Sequence, residues 1–221
     1  MKHHLPADIE KTSMEIIIKE LAGRGITLQP GTERVVRRVI HTTADFDYAE
    51  NLLFLGDPVA RTEQVLQRGG AVLVTDTNMA RSGISRPAMK KLFAQSVCFM
   101  ADEDVARRAK EEGTTRAVVS MQTAAEAYPS AIFAVGNAPT ALFALADLLE
   151  SGLRPTLIVA VPVGFVNVVE AKDRIASVCR DCGVPAIVAR GRKGGSTVAA
   201  AVCNALLYEA ADLSDPAKRG W

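Results

Sequence analysis

The stretch Ala131-Ile-Phe-Ala-Val-Gly-Asn-Ala-Pro-Thr-Ala-Leu-Phe143 decides the fold. It opens with a continuous apolar run, Ala131 to Val135. A run without polar alternation is the signature of a strand buried on both faces. Gly136 and Asn137 end it. Asn137 suits a helix cap, and Pro139 suits a first helical turn. Leu142, Leu145, Leu148 and Leu149 then share one helical stripe, which Gly152 closes. A buried strand therefore turns directly into an amphipathic helix.

Further apolar runs repeat this beginning: Ala71 to Thr75, Ser96 to Met100, Thr156 to Val161 and Ala186 to Arg190. Helical spacing fills the intervals. Such alternation predicts an α/β fold whose parallel sheet of five strands is covered by helices on both sides. Residues 1–70 read differently. Met14, Ile17, Ile18 and Leu21 form one helical face after Ser13. A second helix is expected over 32–40 and a third over 46–54. This amino-terminal helical section should pack on the α/β core or reach beyond it. No repeat or long linker divides the chain, so residues 1–221 are expected to form a single domain. The polar tail from Asp212 to Trp221 is expected to be loose.

Composition narrows the function. Of 221 residues, 48% are hydrophobic and 23% charged, enough for a sizeable core. A net charge of +1, from 26 basic and 25 acidic residues, argues against nucleic acid or an anionic membrane as the main partner. No apolar run approaches the ~20 residues of a membrane span. The start, MKHHLPADIEKTS, lacks the apolar core of a secretory signal, so a cytoplasmic location is expected. Cys179-Arg-Asp-Cys182 is the one CxxC pair. Without a second pair or a nearby histidine it is a weak zinc signal, and reduced thiols are expected.

Ligands of open parallel sheets bind beyond the carboxyl ends of the strands. The loops there hold Asp76, Thr77 and Gly83; Gly136, Asn137, Ala138 and Thr140; Gly164, Phe165 and Val166; and Gly191, Arg192, Lys193, Gly194, Gly195 and Ser196. Gly191 to Ser196 combines glycines, two cations and a following helix, which suits a phosphate or a carboxylate. It matches neither a Walker A loop nor GxGxxG. Capping alone accounts for Asn137 and Pro139. Phe165 either covers a flat apolar ligand at the loop tip or folds into the core. Arg38, Arg86 and Arg116 are further forks for carboxylates. His41 is the single histidine beyond the first four residues, so acid–base chemistry near neutral pH has one obvious carrier.

Several segments jointly resemble the precorrin-8X methylmutase family of cobalamin biosynthesis. They are RVIHTTADFDYAE (38–50), TDTNMARSGISR (75–86), GTTRAV (113–118), GNAPTALFAL (136–145), VPVGFVNVVEAKD (161–173) and GRKGGSTVAAAVCNALLY (191–208). HTTADFD resembles more the branch acting on cobalt-containing intermediates. The chain departs from the family's small residues after PVGFV, with Asn-Val-Val before Glu170 and Ala171 where serine is common. The resemblance implies a three-layer flavodoxin-like core, a homodimer and an isomerase moving a methyl group from C-11 to C-12 of a corrinoid. It implies His41 as the catalytic group and Ser13 and Arg38 as substrate contacts, with Thr42 and Thr43 beside them. It implies no resident metal or cofactor, since any cobalt arrives with the substrate. Two other readings stay open: a corrinoid- or nucleotide-binding module without chemistry, and a phosphoryl-transfer enzyme with Asp76 as its Mg²⁺ ligand.

Overall fold

The computed structural model describes residues 5–219. Its elements, in chain order, begin with α1 (Pro6–Gly23), α2 (Glu33–Thr43), α3 (Tyr48–Asn51), β1 (Leu52–Leu55) and α4 (Pro58–Arg68). They continue with β2 (Val72–Thr75), α5 (Asn78–Gly83), α6 (Arg86–Lys91), β3 (Gln95–Val97), α7 (Glu103–Glu111) and α8 (Arg116–Ala127). The last are β4 (Ile132–Val135), α9 (Pro139–Glu150), β5 (Leu157–Ala160), α10 (Val168–Asp181), β6 (Ala186–Ala189), α11 (Ser196–Ala210) and a 3-10 turn at Pro216–Arg219.

All five expected strands are present, but the sheet has six, in the order β1-β6-β5-β4-β2-β3. Numbered among themselves, the parallel strands run 2-1-3-4-5, the flavodoxin-like order. The extra strand corrects the expected helix over 46–54. Only Tyr48–Asn51 is helical there, and Leu52–Leu55 pairs antiparallel with β6. A four-residue apolar edge strand directly after a helical turn has no period of its own by which sequence could separate it.

The sheet divides the core into two layers. Leu73, Ile132, Leu157, Val159 and Ile187 face α1, α2 and α11. Val74, Phe133, Ile158, Ala160 and Val188 face α8, α9 and α10. Adjacent strand residues thus enter opposite layers, which is why the runs are apolar throughout. Each such side chain, fully buried, stabilises the fold by roughly 1.5–3 kcal/mol.

The tail is another correction as far as Arg219; Gly220 and Trp221 lie outside the described residues. Arg219 is buried, and its guanidinium donates to the Leu213 and Ser214 carbonyls and to Glu10. It lies 3.8 Å over the Tyr208 ring. One arginine thus docks a stretch whose polarity suggested looseness.

Candidate active site

The carboxyl ends of β2, β4, β5 and β6 share one edge of the sheet. Because β1 is antiparallel, its start at Leu52 lies beside Ala189, at that same edge. The segment preceding it, with the end of the His41 helix, is therefore drawn to the loops after the parallel strands. Two contacts hold it there. Arg190 N–H donates to Asn51 O at 2.8 Å. Lys193 Nζ reaches Asp45 Oδ2 at 2.6 Å and Asp47 Oδ2 at 2.5 Å. These hydrogen bonds push the lysine above its ordinary range. They also mean that Lys193, expected to grip a ligand, already spans two elements.

His41 occupies the last turn of α2. The helix ends at Ala44 in the left-handed region, φ 54°. The imidazole is half-buried. Burial first, then the positive charge of Arg38, holds it below its ordinary 6.5; Glu10 opposes this and Arg219 adds to it. Thr42 and Thr43 hydroxyls donate back to the carbonyls of Arg38 and Val39, so both bond within their own helix. Ser13 lies mid-helix on α1, one turn after Glu10. Arg38 Nη2 donates to Glu10 Oε1 at 2.6 Å. Arg219 Nη1 reaches both oxygens of the same carboxylate, at 2.7 and 2.8 Å. Burial acts to raise the Glu10 carboxyl, but the two guanidiniums outweigh it and hold it below its ordinary range. The cluster's stability is therefore present above the ordinary carboxylate range and lost as pH falls through the lowered value.

A cavity of about 280 Å³ opens beside this cluster, between α1, α2, α11 and the tail. Lys11, Arg34, Arg37 and Arg38 bring cations to it, over an apolar floor that includes Met14 and Ile18. Arg37 Nε is buried and has no partner among the described residues. The arginine pair on α2 was the available signal for this cavity. Glu10→Ala should destabilise the protein by about 3–5 kcal/mol, because the buried guanidinium of Arg219 and the partly buried one of Arg38 lose their shared counter-charge. Urea unfolding measures it, and a loss under ~1 kcal/mol would show that the cluster contributes little.

The crevice between β2 and β4, where the strand order reverses, is closed by protein. Asp76 is fully buried there. It accepts the N–H groups of Gly136, Asn137 and Ala138 at 2.9, 2.7 and 2.8 Å. Burial pushes its carboxyl up, while those amides pull it down. The amides expected to meet a ligand are thus committed to Asp76, and Asp76 itself has no free face. A Cβ on Gly136 would fall 2.8 Å from Gly195 O, so α11 approaches this loop as no other residue would permit. Thr77 Oγ1 meets Ser196 Oγ at 2.8 Å and also caps α5. Gly83 is a packing glycine: its Cβ would lie 2.9 Å from that of Ala200. Thr140 Oγ1 meets Thr115 Oγ1 at 3.1 Å, beside the exposed Arg116. Arg86 is exposed at the start of α6.

Open surface remains at the loops after β5 and β6. Phe165 and Val166 are 82% and 77% exposed, which places Phe165 at the loop tip and not in the core. Arg192 lies 5.5 Å over the Phe165 ring, and Gly164 N–H donates to Arg192 O. The 191–195 loop is anchored from below by Lys172, which sequence reasoning passed over. Its Nζ donates to Gly191 O and Lys193 O, both at 2.8 Å, and burial pushes it down to about 8. A lysine inside the buried stripe Val168, Ala171, Ile175 of α10 was the signal that could have found it. The Cys179–Cys182 pair is free thiol, with Cys182 against Leu149 O.

Comparison with known proteins identifies the family. The family model for precorrin-8X methylmutase matches residues 8–209. A cobalt-precorrin-8 methylmutase of Salmonella typhimurium is 40% identical over 207 residues, 92% of this chain and 95% of that one. One from Leptospira interrogans is 40% identical over 209 residues, covering 92% and 94%. The crystal structure of a precorrin-8x methyl mutase from Thermus thermophilus superposes with a TM-score of 0.82 at 36% identity, covering 92% of this chain and 98% of that one. A match of this extent, over both the sheet-edge loops and the His41 helix, means that this chain belongs to the precorrin-8X methylmutase family.

Proposed function

We propose that this protein is an intramolecular transferase of corrin biosynthesis, moving a methyl group from C-11 to C-12 and converting cobalt-precorrin-8 to cobyrinate. The relatives named for the cobalt substrate support that form over metal-free precorrin-8X. The carrying observation is the Lys193 bridge to Asp45 and Asp47, which joins the His41 helix to the glycine-rich loop. An acid and a carboxylate-binding edge thus come together.

The shift breaks one C–C bond and forms another within the same molecule. It needs the macrocycle held in a reactive geometry and its π system biased. His41, protonated, is the acid that polarises a ring nitrogen and takes its proton back after migration. Arg38, Arg192 and the amides of residues 192–194, which no protein acceptor engages among the described residues, meet the rim carboxylates. Phe165 and Val166 cover a face of the ring. Cobalt comes and goes with the substrate, and no resident cofactor takes part.

The protein acts in the cytoplasm as a homodimer. The exposed apolar residues Ile9 and Ile16 on α1, with Leu5 just before it, support a partner surface. Phosphoryl transfer is disfavoured because both oxygens of Asp76 are occupied by amides.

The test is anaerobic incubation with cobalt-precorrin-8, followed by absorption spectroscopy for cobyrinate. Conversion without added metal or nucleotide supports the reading, and binding without conversion favours a carrier module. If subunits share sites, mixing a His41→Ala with an Arg192→Ala protein should restore activity through hybrid dimers. Mixtures no more active than either parent would place each site within one chain.

A further inference from the structure

Two strand-to-helix loops at this edge are braced by buried charges of opposite sign. At Gly136 to Ala138, Asp76 takes up the amides. At Gly191 to Gly195, Lys172 takes up carbonyls. The consequences differ. Drawing carbonyls inward turns amides outward. Among the described residues, no protein acceptor engages the N–H groups of Arg192, Lys193 or Gly194, whereas Gly195 N–H donates to Val161 O. The register of that loop is tight, since a Cβ on Gly194 would fall on the Val161 and Pro162 carbonyls.

The ammonium of Lys172 also lacks a direct ion-pair partner. The residue is 1% exposed, and Asp173, its neighbour in the chain, acts on it through space without forming an ion pair among the described residues. Burying an ammonium without a paired carboxylate is costly, and a neutral donor would tether two carbonyls more cheaply. What a neutral donor would not supply is positive potential behind outward-facing amides, an arrangement that favours an anion. We infer that Lys172 is a positioning residue for substrate binding: it sets the 191–195 loop as a cradle for a carboxylate of the corrinoid, whose negative charge completes the pairing that the protein leaves open.

This rests on the corrinoid reading above. The experiment compares wild type, Lys172→Met and Lys172→Gln by cobyrinate titration and by kcat and KM with cobalt-precorrin-8. Both variants should bind cobyrinate at least tenfold more weakly and raise KM alike, with kcat within threefold of wild type. Lys172→Gln keeps donors for the carbonyls but lacks the charge, so wild-type affinity in that variant would overturn the inference. So would a fall in kcat at unchanged KM. Should neither variant fold, hydrogen exchange in the wild type decides. Cobyrinate should slow exchange at residues 192–194 at least tenfold, and unaltered exchange there overturns the proposal. A wild type that neither binds nor converts the corrinoid overturns the functional reading itself, whereas equal binding by all three proteins overturns only the role of Lys172.

Discussion

His41→Ala is expected to lower turnover by roughly 10²–10⁴-fold, the usual contribution of a positioned acid or base. Cobyrinate affinity should change by no more than about 1–2 kcal/mol, the scale of one or two hydrogen bonds. His41 is the sole histidine among the described residues, so no neighbour of similar pKa stands in for it. Its direction of shift adds a second measurement. Burial, then Arg38, favours neutral imidazole in the protein alone. A general acid works in its protonated form. The kcat/KM profile, which reports the free enzyme, should therefore rise as pH falls, with its midpoint below the ordinary imidazole value. A polyanionic substrate reverses part of that shift, so the limb in kcat should lie at higher pH than the limb in kcat/KM. Near-normal rates in the variant, or a profile flat across this range, would remove His41 from the role of acid.

The sequence made the sheet legible because each parallel strand enters two core layers at once. A residue such as Phe133 or Ile158 must then be apolar whichever way it points. The loops were legible as positions, since each follows such a strand. Their internal commitments were not. Nothing local to Asp76 says that its carboxylate will meet amides about sixty residues later, at Gly136. That pairing exists only because β2 and β4 are neighbours in the sheet. The same holds for Lys193 and Asp45, and for Glu10 and Arg219 near the chain's two ends. Charged residues in loops read as free to bind ligands, and the fold spends several of them on itself. Lys172 is the opposite case. Its place in an apolar helical stripe was visible, but the carbonyls that make its burial tolerable belong to another loop.

Asp76→Ala should cost the largest share of stability of any single substitution at this edge. It leaves three amides of the 136–138 loop without their acceptor, that of Gly136 buried and those of Asn137 and Ala138 partly so. Each orphaned donor costs roughly 1–3 kcal/mol, and because the three share one loop their losses do not simply add. About 3–6 kcal/mol is expected, against a total of roughly 5–15 kcal/mol for an ordinary domain. Asp76→Asn should lie between, since its amide nitrogen faces donors where the second oxygen accepted. Burial raises the folded-state carboxyl of Asp76 above its ordinary 3.8, against the pull of the amides. Its contribution is then fully present below the unfolded value and diminishes as pH rises through the folded one. The gap between wild type and Asp76→Ala should therefore be widest in mild acid and narrow toward neutrality. Guanidinium unfolding at a series of pH values, with the slope checked for constancy, measures both effects. A loss below ~1 kcal/mol would mean that the amides find other partners and that the reversal point of the sheet is open to a ligand after all; a gap that widens with pH would mean instead that the amides outweigh burial and hold the carboxyl below its ordinary range.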